Sequence, residues 1–181
     1  DAAVVLVAGA SAALASHETD ALISFASRGG GIMFALDPER ETPDLLVRLG
    51  IGVPGGVAMD EKVMFPFWDR PIPVLRNHGV TEALVTSKLS PVLAHVAPLS
   101  VADPLPTGVK ATSILVTSRR GWIERGGELV GGAPRYDEGV DGSGPVNMAV
   151  ALELRSGSDW VRAGKPPARI LVVGDSDFLG N

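Results

Sequence analysis

The chain has 181 residues, 45% of them hydrophobic and only 5% aromatic, a size for one domain with a core built mostly of Val, Leu, Ile and Ala. Its 16 basic and 21 acidic residues give a net charge of −5, and no basic cluster is interleaved with aromatics, so nucleic acid is not an expected partner. Cysteine is absent, which excludes disulfides, thiolate zinc sites and a Cys nucleophile, and no apolar stretch nears the roughly 20 residues of a membrane-spanning helix.

In chain order, Ala3 to Ala8 reads as a buried strand ended by Gly9. Ser16 offers an N-cap, Glu18 sits in a first turn, and Leu22, Phe25 and Ala26 recur at helical spacing until Gly29-Gly30-Gly31. Ile32 to Leu36 is a second buried strand, broken by Asp37-Pro38. Thr42 as N-cap, Pro43 at the first position and Leu45, Leu46 and Leu49 predict a second helix, ended by Gly50. This β-α-β-α unit with short connections is the mark of a parallel sheet covered by helices.

Residues 51 to 80, rich in Pro and Gly, suit loops with short strands. Val92 to Ala97, Thr112 to Thr117 and Val146 to Leu154 read as strands. The glycine pairs between 119 and 145 predict a long mobile loop. The last strand is Ile170 to Val173. Its short connection from Val146–Leu154 favours an antiparallel pair, so the sheet is expected to be mixed though mostly parallel. The fold class expected is a single α/β domain over 1–181, with flanking helices. The start at Asp1, almost directly into a strand, leads us to expect a piece of a longer protein, with any anchor or signal outside it.

The last strand stops at Gly174-Asp175-Ser176-Asp177, and ligands gather beyond the carboxyl ends of strands in open α/β sheets. Asp175 and Asp177, with Asp37, are the ligand type that binds Mg²⁺ through oxygen. The plainer alternative is an Asx-type turn that caps the next helix. We favour capping, because no Lys or Thr partner completes a phosphoryl-transfer site. The candidate ligand-binding set is Gly9, Asp37, Ser118, Asp175, Ser176 and Asp177, with no catalytic and no metal-ligating residue assigned.

Gly9-Ala-Ser11 and Gly174-Asp-Ser176 are poor nucleophile elbows: one lacks the second glycine and the other is crowded by acids. His17, His78 and His95 lack metal-motif spacing. No dinucleotide or P-loop motif occurs, and no cofactor is expected. Asp137 to Gly142 resembles a calcium loop, but its twelfth position is Met148, so it reads as a solvated loop. Trp68, Trp122, Trp160, Phe65 and Phe67 fall in irregular regions, where aromatics mark a partner surface or pack over the sheet edge.

Several segments, taken in order, resemble a known family. They are Val4-Val-Leu-Val-Ala-Gly9, Ser27-Arg-Gly-Gly30, Ile32-Met-Phe-Ala-Leu-Asp-Pro38, Leu49-Gly-Ile51, His78-Gly-Val-Thr81 and Ala97-Pro-Leu-Ser100. Leu115-Val-Thr-Ser118 with Trp122, Gly144-Pro-Val-Asn-Met-Ala-Val-Ala-Leu152 and Val172-Val-Gly-Asp-Ser-Asp-Phe178 complete the set. The chain resembles the extracytoplasmic domain of ABC-type transport auxiliary proteins, the group containing the gliding-motility-associated transporter component. One position departs: the family's His-Pro-Ile-Thr reads His78-Gly79-Val80-Thr81.

The resemblance implies a flavodoxin-like or glutamine-amidotransferase-like three-layer sandwich, related to a domain of an intraflagellar-transport protein. It implies attachment through membrane helices outside this chain, an extracytoplasmic (periplasmic) location and an ABC transporter permease as partner. Amidotransferase-like enzymes use a Cys nucleophile, which this chain lacks, so the function expected is non-enzymatic binding or scaffolding. The alternative is a small-molecule or carbohydrate binder, possibly a metal-dependent hydrolase, with its site at the strand ends. His78 and Trp122 are the candidate partner surface.

Overall fold

The computed structural model describes residues 3–10, 12–126 and 133–180. The first half carries β1 (Val4–Ala8), α1 (Ser16–Ala26), β2 (Gly31–Ala35), α2 (Asp44–Arg48), β3 (Ile51–Gly52), β4 (Val57–Met59), β5 (Val63–Met64), β6 (Phe67–Pro71), β7 (Val74–Leu75) and α3 (Glu82–Thr86). The second half is almost all strand: β8 (Ser100–Val101), β9 (Val109–Val116), β10 (Trp122–Glu124), β11 (Gly142–Ser143), β12 (Asn147–Leu154) and β13 (Ala168–Val173), then a 3-10 turn at Asp177–Leu179.

The main sheet has six strands in the order β1-β2-β13-β12-β9-β7. β1, β2 and β13 are parallel neighbours, whereas β13–β12, β12–β9 and β9–β7 are antiparallel. The antiparallel β12–β13 pair follows the sequence reading. The mostly parallel, three-layer sandwich does not: antiparallel pairs predominate and the described helices are few and short. The reason is local. After β3 the chain spends its residues on hairpins and on three small sheets instead of crossover helices, and only crossovers keep successive strands parallel.

Alternation along each strand sorts the core onto two faces. Ile32, Phe34, Val150, Leu152, Ile170 and Val172 point to the face covered by α1 and α2, where Leu22, Ala26, Leu45, Leu46 and Leu49 close over them. The opposite face presents Ala149, Ala151 and Val173, and is covered at one end by Leu93, Val96 and Phe178. At its other end it stays open: Lys110, Glu153 and Arg169 lie exposed in one cross-strand row, as do Val4 and Leu6 of the edge strand β1.

Val92 to Ala97 alternates like a strand but is irregular. Its backbone groups bond one at a time to different segments: Val96 O accepts from Ala58 N, His95 N donates to Asp69 O, and Ala97 N donates to Gly174 O. Within 119–145, read as one long loop, β10 pairs with β4 and with β11, while residues 127–132 lie outside the described residues.

Candidate functional site

β1, β2 and β13 are parallel, and β9 is antiparallel to β12, itself antiparallel to β13. Four strands therefore end at the same edge, and the segments after them carry Gly9, Asp37, Ser118 and Asp175. The structure brings five of the six candidate residues together. A Cβ placed on Gly9, whose φ of 53° suits glycine, would stand 3.1 Å from Ser176 Oγ and 3.6 Å from Asp37 Oδ2. Ser176 N donates to Asp37 Oδ1 at 3.1 Å.

Asp175 is the buried member, only 2% exposed. Its Oδ1 accepts from Asp177 N at 2.7 Å, which closes an Asx-type turn into the 3-10 segment. Its Oδ2 accepts from Ala94 N at 2.9 Å, which pins the irregular 88–97 segment to the strand end. Burial pushes the Asp175 carboxyl above the ordinary carboxylate range; the two backbone N–H donors oppose that, and the nearby charges of Asp177 and Asp37 add to it.

Ser118 stands apart from this group. Its N–H and Oγ both donate to the buried Asp60, the Oγ at 2.7 Å, and Lys62 N adds a third bond to the same carboxylate at 3.0 Å. Asp60 drew no notice in the sequence, where it is one acid following a short apolar run. The calcium-like loop also differs from its reading: Asp141 is buried and accepts from Arg125 N at 3.0 Å and Asp137 N at 2.8 Å, so it braces a turn rather than facing solvent.

A cleft of about 400 Å³ opens beside the strand ends, lined by Asp37, Glu39, Arg40, His95 and Asp177 among others. Arg40 and His95 were not singled out for this site; the strand expected at 92–97 hid the left-handed backbone (φ 50°) that sets His95 at its rim. Among the described residues no group of three or more His, Asp or Glu is placed to hold a metal ion.

The partner-surface residues fare differently. Trp122 is a correction: it is 5% exposed, and its indole N–H donates to Glu124 Oε2 at 3.2 Å inside the small sheet. His78 is half-buried, and its Nδ1 accepts from Val80 N at 3.2 Å in the turn before α3. Among the described residues, the aromatics that do reach the surface are Phe65, Phe67, Trp68 and Tyr136.

No family model and no curated protein matches the chain. Among solved structures, the mmIFT52 N-terminal domain superposes with a TM-score of 0.58 at 16% identity, over 96% of this chain and 66% of that one. The two folds are similar. At this identity the likeness extends to fold alone, and this chain spans just under two thirds of the IFT52 chain's length. The sequence resemblance thus holds at the level of the α/β architecture shared with the IFT52 domain. No helix among the described residues is long and apolar enough to cross a membrane.

Proposed function

We propose that this domain is a non-enzymatic binding or scaffolding module of an ABC-type transport system, of the export or gliding-motility kind. In this reading it stands on the extracytoplasmic side of the membrane, is tethered by segments outside this chain, and has a transporter permease as partner. The observation that carries the non-enzymatic part is the use made of the strand-end acids. Both oxygens of Asp175 and one of Asp37 are committed to backbone N–H donors that splice loops to the sheet. Carboxylates so engaged hold geometry, which is a structural use of the strand-end acids. The IFT52-like fold and the ordered family segments support the reading; the transport assignment rests on the latter.

Mild-detergent extraction of the full-length parent protein, followed by pull-down, tests it. The permease is expected to co-purify in stoichiometric amount. A parent protein that is intact and folded yet never retains a permease would overturn the reading.

A further inference from the structure

Met64-Phe65-Pro66-Phe67-Trp68 is a run of five apolar residues in which every residue is exposed. The chain has nine aromatic residues in all, and three of them stand together here. The run forms the turn of the β5–β6 hairpin, and Phe65 at its tip is 79% exposed. Folding normally buries such a sequence, and a contiguous exposed apolar patch marks a surface that something else covers.

The tip is ordered by its own contacts. Phe65 and Trp68 meet edge to face, ring centroids 6.3 Å apart at 88°. The Arg70 guanidinium lies 4.1 Å from the centre of the Phe67 ring. The charges around the foot are sorted by sign. Asp60 is buried on Ser118 and the Lys62 backbone, and Glu61 is ion-paired with Arg120 at 2.7 Å. Asp69 is half-buried. Lys62 and Arg119, each next in sequence to a member of the Glu61–Arg120 pair, remain exposed, and Arg70 has no ion-pair partner among the described residues.

We propose that this hairpin is a docking point for an anionic lipid surface. A convex turn with Trp and Phe at its end and cations at its foot matches the layering of a membrane interface. Apolar rings enter the acyl boundary, the indole sits at headgroup level, and Lys and Arg meet lipid phosphates. The reach fits as well: two residues of extended chain on each side of Pro66 span about 7 Å, within the roughly 5–10 Å depth of interfacial insertion. The exposed Ile72 and Val92 extend the apolar area beside the tip. This inference does not need the transporter reading, since lipid alone is the partner.

Vesicle flotation tests it, with phosphatidylcholine alone and with phosphatidylcholine mixed with phosphatidylglycerol. The chain is expected to float with the anionic vesicles, less so as salt rises. Phe65→Ser with Trp68→Ser should lower partition by about a hundredfold, since each buried ring is worth roughly a factor of ten or more. Lys62→Glu should weaken binding to the anionic vesicles only. Val47→Ser, an exposed apolar site on α2, should change nothing. All these side chains are exposed, so unfolding midpoints should stay near wild type and confirm that each variant is folded. No flotation with either vesicle, or equal flotation of the double variant, would overturn the proposal. So would a double variant that loses permease while the wild type never binds lipid, because the patch would then belong to a protein. Because the vesicles contain no permease, a failed pull-down leaves this result untouched.

Discussion

At the scale of single residues, Asp175 ties two pieces of chain to one strand end. Asp175→Ala leaves Ala94 N and Asp177 N without their acceptor, which should cost about 1–3 kcal/mol in urea unfolding. Asp175→Asn retains one acceptor oxygen and should cost less. The pH dependence has a definite sign. A carboxyl raised in the folded state holds its proton more tightly there than in the unfolded chain, so its contribution to stability falls as pH rises from about 3.9, the unfolded value, through the raised folded value. The Asn variant lacks this term. The stability difference between wild type and Asp175→Asn should therefore shrink from acid toward neutral pH and then level off; a difference that widens instead would show that the pKa is lowered. The placement of Gly9, Asp37, Asp175, Ser176 and Asp177 was legible because strand ends collect where parallel strands stop. Asp60 was not, because what buries it is Ser118, 58 positions further along the chain.

At the scale of elements, α1 starts one residue before the sequence suggests. Ser16 reads as the N-cap, but Ala15 takes that place, with φ −65° and ψ 155°. Glu18 reaches back so that its Oε2 accepts from Ala15 N at 2.8 Å, half of a capping box; alanine has no oxygen to supply the other half. Ala15→Ser should complete it and add about 1 kcal/mol, a rise of about 2–4 °C in Tm by calorimetry. No gain, or a loss, would mean that the serine oxygen does not reach the Glu18 N–H. The strands β2, β12 and β13 were legible because each carries a buried apolar run, whereas β9 was read only from Thr112, because Lys110 breaks the pattern of its first half. The failures share one cause. Val92–Ala97 and Trp122–Glu124 take their hydrogen bonds from segments distant in sequence, and local pattern carries no record of such partners.

For the whole molecule, the layer expected over the second face of the sheet is incomplete, and the edge strand β1 is left with a run of five residues, Val-Val-Leu-Val-Ala, free of charge and proline. Leu6, half exposed, points outward from it. Unprotected edges of this kind template pairing with other chains. Leu6→Lys should leave the unfolding free energy within about 0.5 kcal/mol of wild type while suppressing concentration-dependent light scattering. Scattering that is unchanged would place the sticky surface elsewhere, with the hairpin tip next in line.

The parallel run β1-β2-β13 has a mechanical consequence. Val4 opens β1 at one end of the strands, and Val173 closes β13 at the other end, with β2 paired in register to both. Tension applied between those two points runs along the strands and loads all of their hydrogen bonds at once, in shear. A hairpin pulled from its open end yields one rung at a time; these three strands yield together, as a lap joint does.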